Sequence, residues 1–310
     1  MSLGAYWMQG AVLALFIVLL AVRRIVDRGR LVHRSSGGGV APDIVVRDRR
    51  GGRELWFEEG KRRMLHARVS LRNPLVSRLP YVDGLHLHMG DSSAAGRVLF
   101  IGCGAGIGPR QFAHLYPGAA IDVVDVDARV LDVAARFFSF TPSPTLTMHA
   151  GDGRQFLERT GATFDRIVVD AFGANDMPAP LCTLEFFQLC RAKLSQGGAC
   201  VVNVAGTIEG PSSTLVRAIH AGIEAAFGDG LVRVYAVPRG RERRAAGRKR
   251  RNLLMFAFDA LPPLDPSGLI LTMPSIVPAL ATLPVHGVSL PPGVDPLSDR
   301  TLGSPRLEIR

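Results

Sequence analysis

Cysteine is scarce: Cys103, Cys182, Cys190 and Cys200 are the only four in 310 residues, and none stands in a C-x-x-C pair. That excludes a zinc ribbon or a disulfide framework and leaves small core residues of a reduced compartment. Internal repeats are lacking as well, which excludes a solenoid or propeller. Acids are outnumbered, 27 against 37 Lys and Arg, for a formal net charge of +10. An anionic partner, whether lipid headgroup, nucleic acid or small anion, therefore has to be considered. With 47% hydrophobic residues the chain can bury a large core, enough for one sizeable domain with additions or two small ones.

The stretch around which the chain is organised is Arg97 to Asp127, RVLFIGCGAGIGPRQFAHLYPGAAIDVVDVD. Val98 to Ile101 is a short apolar run that fits a buried parallel strand, and Gly102, Cys103, Gly104, Ala105 and Gly106 follow it directly. Glycines let the backbone turn sharply and approach a ligand, while the N–H groups of a helix starting near Ile107 face the bound group. A second strand, Ala119 to Val124, delivers Asp125 and Asp127 at its carboxyl end, where a carboxylate can accept both hydroxyl hydrogens of a ribose. The unit reads as a nucleoside-binding βαβ. The glycine spacing departs from the dinucleotide G-x-G-x-x-G, although Gly108 completes a loose version of it.

Gly4 to Val22 is a run of nineteen residues with Gln9 its one clearly polar member, long enough to span a hydrocarbon core of ~30 Å. Arg23, Arg24, Arg28 and Arg30 follow it and no Lys or Arg precedes it, so residues 1–30 read as a membrane anchor with the body on the cytoplasmic side. A signal peptide would want a basic start and a small-residue cleavage site. HRSSGGGVAP sets residues 31–42 apart as a flexible linker. Residues 43–92 read as a small β lid module, with DIVVRD, RELWFEE and LHLHM as strands. His86 and His88 alternate onto one strand face there, but no third ligand is recognisable nearby, so no metal is expected.

From residue 93 to 260 helices and strands alternate: helix Ala128–Phe138, strand Thr145–Ala150, helix Arg154–Arg159, strand Phe164–Asp170, helix Thr183–Leu194, strand Ala199–Val204, helix Ser212–Phe227. Leu231–Val237 and Leu253–Asp259 then come as strands with no helix between them and should pair antiparallel at one edge. The expectation is an α/β doubly wound, mostly parallel seven-stranded sheet with an antiparallel edge hairpin, as in Rossmann-like methyltransferases. Three strand ends carry acids in series: Asp125, then Asp152 in Gly151-Asp152-Gly153, then Asp170. They should meet at the carboxyl edge of the sheet, where this fold class binds ligands. An acid there can also serve only as a helix cap, as Asp127 or Asp152 would. Residues 261–310 are a proline-rich tail without an assignable role.

The blocks VLFIGCGAGIG, VVDVDARVLDVAARFF, HAGDGRQFL, FDRIVVDAFG and PAPLCTLEFFQLCRAKLSQGGACVVNV resemble the spermidine synthase-like aminopropyltransferases over roughly Glu54 to Asp259. The resemblance implies an S-adenosyl nucleoside, decarboxylated S-adenosylmethionine or S-adenosylmethionine, as co-substrate, cradled by Gly102, Gly104, Gly106 and Gly153. It implies Asp125 on the ribose, Asp152 beside adenine and Asp170 as the base that prepares an attacking amine. It also makes the β module a lid, and it is compatible with a homodimer.

The sequence departs from that pattern in two places. Ala105 stands where the family carries an acid that attracts the aminopropyl ammonium, and Gly173 replaces the second acid of a D-x-x-D loop, with Asp176 three residues further on. Tyr81 is the one nearby candidate for the lid's polyamine signature. Three readings stay open: aminopropyl transfer to an amine, methyl transfer from S-adenosylmethionine to another acceptor, and a membrane-tethered binding module without turnover. The segment Arg239 to Arg251 holds eight Lys or Arg in thirteen residues. With no aromatic interleaved for base stacking, it suits anionic headgroups better than nucleic acid.

Overall fold

A computed structural model describes residues 12, 14–16, 29–39, 41–88, 96–172, 177–237, 248–260, 290–291 and 293–302. Two sheets organise them. The first is an antiparallel meander in the order β1 (Arg30–Ser35), β2 (Asp43–Arg49), β3 (Gly52–Glu59), β4 (Arg62–Ser70). Alternation sends Ile44, Val46, Leu55, Ala67 and Val69 into a core shared with Val98, Phe100, Ile107 and Phe112, so the lid sheet is packed onto the larger body.

Two expectations for this region are corrected. Residues 31–42 are not a linker throughout, because β1 runs through their first part and pairs with β2, Ser35 opposite Ile44. Its pairing is fixed by charge: Arg34 bonds both Asp43 and Glu58, and Arg30 reaches Asp48 at 3.0 Å. The piece LHLHM is not a strand either. Leu79-Pro80 starts a short helix, α1 (Pro80–Gly84), with proline in its first turn, and residues 85–88 continue it as turns. His86 and His88 therefore point to different partners. His86 lies buried 4.3 Å from the Phe112 ring with Tyr116 and Gln111 at its nitrogens, while His88 Nε2 meets the Tyr235 hydroxyl at 2.7 Å. Burial first of all lowers both imidazoles to about 4. Among the described residues no three His, Cys, Asp or Glu side chains gather as a metal site.

The second sheet has seven strands in the order β10-β11-β9-β8-β5-β6-β7. Its parallel members are β5 (Arg97–Ile101), β6 (Ala120–Asp125), β7 (Leu146–Ala150), β8 (Phe164–Val169) and β9 (Leu194–Gly206). Both faces are buried: Val98 and Phe100 join one core, Leu99 and Ile101 the other. Helices α2 (Ile107–Leu115), α3 (Ala128–Phe138), α4 (Gly153–Arg159), α5 (Leu184–Ala192) and α6 (Thr214–Phe227) are the crossovers. β10 (Val232–Ala236) and β11 (Arg251–Phe258) form the expected antiparallel hairpin, with β11 as the inner strand against β9. A last short helix, α7 (Asp299–Leu302), is pinned by Arg154 to Asp299 at 2.7 Å. All four cysteines are buried and none forms a disulfide among the described residues.

Of the apolar run near the start only Val12 and residues 14–16, which are helical, are described. The rest of the expected anchor, Asp176 with its neighbours 173–175, residues 238–247 and most of the tail lie outside the described residues. Among the described residues no helix is long and apolar enough to cross a membrane.

Candidate functional site

The carboxyl ends of β5, β6 and β8 open into a cavity of about 980 Å³, at the upper end of the range for small-molecule sites. Its floor is the glycine turn. Gly102 has φ +99°, and a side chain there would stand 2.3 Å from the Asp170 carbonyl oxygen, so the turn is pressed against the end of β8. Gly104 has φ +53° with nothing within 4 Å of where a Cβ would be, which leaves its surface open to a ligand. Gly106 sits at the start of α2 against the Phe140 ring, and Gly153 at the start of α4 against Ile101. Gly106 lies behind the cavity wall rather than in it; Gly102, Gly104 and Gly153 line it. Ala105 is buried in the core and does not line the cavity.

The three strand-end acids do converge on this cavity. Asp125 ends β6, and its two oxygens accept from the N–H groups of Cys103 at 2.9 Å and Asp127 at 3.0 Å. Burial nevertheless raises its pKa, with those N–H groups opposing the rise. A carboxylate oxygen has a second lone pair, so Asp125 keeps acceptor capacity for ligand hydroxyls. Asp152 accepts from Gln155 N at 2.9 Å as the cap of α4, leaving its other oxygen for a ligand donor. Asp127 is a cap in the ordinary sense, accepting from Arg129 N at 2.9 Å. Burial works against its charge, but the Arg129 guanidinium and N–H hold it below the usual carboxylate range.

Asp170 follows β8. Asn203 Nδ2 donates to its Oδ1 at 2.8 Å and the Tyr81 hydroxyl to its Oδ2 at 3.3 Å. Asn252 on β11 in turn donates to Asn203 Oδ1 at 3.0 Å, which fixes that amide's orientation. Burial raises the carboxyl pKa of Asp170, and the two donors partly counter it. Such a group, oriented from both sides and reluctant to stay charged, is suited to taking a proton. Tyr81, reached from the lid across 89 positions of sequence, is thus at the site; burial, then the nearby Asp170 charge, keeps its hydroxyl protonated and donating.

Several site residues were invisible to sequence patterns. Asn203 stands inside the apolar part of β9 and Asn252 follows Arg251 at the start of β11, and a polar residue in a strand is the one signal they give. Ser36, Gly37, Gly38, Ala41 and Pro42 line the cavity from the β1–β2 loop. Arg129 holds that loop down by donating to the carbonyls of Ser36 at 2.8 Å and Pro42 at 3.3 Å. Phe57, Met64, Leu65 and His66 from the β3–β4 hairpin and Leu79 complete the lid side, and Arg250 reaches the cavity from the basic loop.

Residues 84–237 match the family model described as the spermine/spermidine synthase domain. A polyamine aminopropyltransferase of Vibrio vulnificus is 33% identical over 187 residues, 59% of this chain and 62% of that protein. Putrescine N-methyltransferase 2 of Nicotiana attenuata is 33% identical over 127 residues, 38% of this chain and 34% of that protein. The chain thus spans less than two thirds of the length of either relative. The crystal structure of a probable spermidine synthase from Corynebacterium glutamicum has the same fold, with a TM-score of 0.63 at 21% identity, covering 78% of this chain and 85% of that one. The segment that carries the glycine turn, Asp125, Asp152 and Asp170 therefore matches a spermine/spermidine synthase domain.

Proposed function

We propose that the chain transfers an aminopropyl group from decarboxylated S-adenosylmethionine to an amine. The observation that carries this reading is Asp170, a buried carboxyl with a raised pKa, oriented by Asn203 and Tyr81 in the wall of the cavity that holds the glycine turn. The names of the relatives support it. The residues fit the donor substrate: Gly104 leaves room above the turn, Asp125 has lone pairs for ribose hydroxyls, and the second oxygen of Asp152 suits the adenine amino group.

Bound there, the donor offers a carbon made electrophilic by the neighbouring sulfonium. The remaining work falls to the chain. An amine with a pKa of ~10 arrives as ammonium, and Asp170 attracts it and accepts one proton. The freed nitrogen pair forms the N–C bond while the C–S bond breaks, its electrons remaining on sulfur as a neutral thioether. A placed base contributes ~10²–10⁴-fold. Holding nitrogen, carbon and sulfur in line adds the larger share.

A second reading, methyl transfer from S-adenosylmethionine, has its own observation: Ala105 puts no carboxylate beside the turn to repel the donor's carboxylate, and Arg250 lines the cavity. The experiment is to incubate the purified full chain with each donor and an amine and separate the nucleoside products. Methylthioadenosine from the decarboxylated donor supports aminopropyl transfer. S-adenosylhomocysteine from the intact donor alone replaces it with the second reading, and neither product refutes both. The run Gly4 to Val22 with its following arginines further supports an anchor that leaves the cavity on the cytoplasmic side. Release of the chain from membranes by salt wash alone would contradict that.

A further inference from the structure

The lid strand β4 breaks its alternation at one place. Leu55 on β3 lies opposite Ala67 and Trp56 opposite Leu65, so His66 has no residue across from it and forms a bulge. In a regular strand successive side chains leave by opposite faces. Here Met64, Leu65 and His66, three in succession, all line the cavity, while Ala67 and Val69 beyond the bulge return to the core. Bulges re-aim side chains in this way and are common beside active sites. The re-aimed imidazole stacks on Phe57, another cavity residue, with ring centroids 3.8 Å apart and planes 27° from parallel. Its Nε2 is buried and has no hydrogen-bond partner among the described residues. Burying a polar nitrogen unpaired is unfavourable, so a strand that bends to put one in a cavity wall gains from a ligand that donates to it. Burial also lowers the imidazole to about 4, so at neutral pH the ring is uncharged and keeps a lone pair on one nitrogen. The base has no need of it, because Asp170 is oriented by Asn203 and Tyr81.

We propose that His66 reads the acceptor's second nitrogen, accepting a hydrogen bond from the far ammonium of a diamine whose near nitrogen meets Asp170; this rests on the amine-transfer reading. A neutral acceptor suits that end of the substrate. It holds the ammonium by a charge-assisted bond without taking its proton, since an amine with a pKa of ~10 keeps its proton against a ring that gives up its own near 4. Phe57, Met64 and Leu65 beside it cover the methylenes between the two nitrogens. Selection then falls on His66 and proton removal on Asp170, so the two separate on substitution.

The test compares the full chain with His66→Leu and His66→Gln, measuring kcat/KM for putrescine and for n-butylamine, its one-nitrogen counterpart, with whichever donor turns over. The ratio of putrescine to n-butylamine should fall roughly tenfold or more in His66→Leu, which fills similar space without an acceptor, and far less in His66→Gln, which keeps one. Removing a buried nitrogen that pairs with no protein group leaves stability level or higher, so His66→Leu should melt no lower than the parent. A residue with a structural role alone would lower the melting temperature and spare the ratio. An unchanged ratio in His66→Leu overturns the assignment while leaving amine transfer intact. Absence of product from the parent with both donors overturns amine transfer itself. Calorimetric titration of putrescine into the parent and His66→Leu then decides the site, and equal affinities, or no binding to either, refute it.

Discussion

Replacing Gly102 by alanine perturbs the base and the fold together, and the structure allows the size of both effects to be worked out. The new Cβ would stand 2.3 Å from the Asp170 carbonyl oxygen, 2.8 Å from its carbonyl carbon and 3.1 Å from the Ala171 Cα. Contact at van der Waals distance needs about 1 Å more. All three atoms are backbone, so no side chain can swing aside. Overpacking of this kind costs ~1–3 kcal/mol, and alanine at φ +99° adds ~1–2 kcal/mol of left-handed strain. The sum, ~2–5 kcal/mol, lowers a urea midpoint by ~1–2 M when m is ~2–3 kcal/mol/M. The carbonyl belongs to Asp170 itself, so relief of the clash displaces the base, and a misplacement of ~1 Å costs ~10²-fold in turnover. Gly104→Ala is the control, since its φ of +53° carries strain but nothing lies within 4 Å. It should lose only ~1–2 kcal/mol and weaken donor binding rather than turnover. Urea unfolding and product release measured on both variants decide the matter. Equal losses in the two, or a Gly102→Ala protein with native midpoint and rate, would refute the idea that the turn is braced against Asp170.

Asp170→Asn should abolish transfer, and the wild-type kcat/KM should fall as pH drops through the raised pKa of this carboxyl. In the unfolded chain the group ionises near 3.8 and in the native state higher, so the native state holds the extra proton between the two and stability declines as pH rises across that window. The asparagine variant should therefore melt at a higher temperature than the parent at neutral pH, and a lower one would contradict the burial cost. Asp152→Ala should both weaken donor binding and lose ~1 kcal/mol of helix capping, whereas Asp152→Ser keeps the cap and loses only binding; calorimetric titration showing native donor affinity in both would remove Asp152 from the nucleoside pocket. Arg129→Ala frees the carbonyls of Ser36 and Pro42 and should expose the 36–42 loop to proteolysis and raise the donor Kd, and protection equal to the parent's would show that the loop is held otherwise.

The large sheet was legible because both its faces are buried, which writes each strand as an apolar run and each crossover helix as a 3.6-residue stripe such as Val130, Leu131, Val133, Ala134 and Phe138. Its acids were legible because this fold class gathers ligand-facing groups at the carboxyl ends of its strands, even where the acid also caps the next helix, as Asp152 does. β1 was not, since Arg30 and Arg34 register it through charge in a stretch whose glycines and serines read as linker. The reading of Leu85–His88 as a strand failed because two-residue alternation over so few positions is also produced by a turn whose alternate side chains meet different neighbours. Asn203 and Asn252 show locally only as polar residues within strands, which says nothing of what they do. Their meaning exists only once β9 and β11 lie side by side.

That adjacency bears on the order in which the molecule is made. β11 enters the sheet between β9 and β10, although it is synthesised after both. As the chain leaves the ribosome, β9 has an unfilled edge and β10 has no neighbour to pair with until residue 258 emerges. Pairing of β10 directly onto β9 would be a register trap that only strand insertion resolves. The same late strand brings Asn252, which orients Asn203 and through it Asp170. The orientation of the Asp170 carboxyl is thus incomplete until the sheet is, and a nascent or truncated chain ending before β11 would hold the glycine turn and the strand-end acids without the amide chain that aligns Asp170.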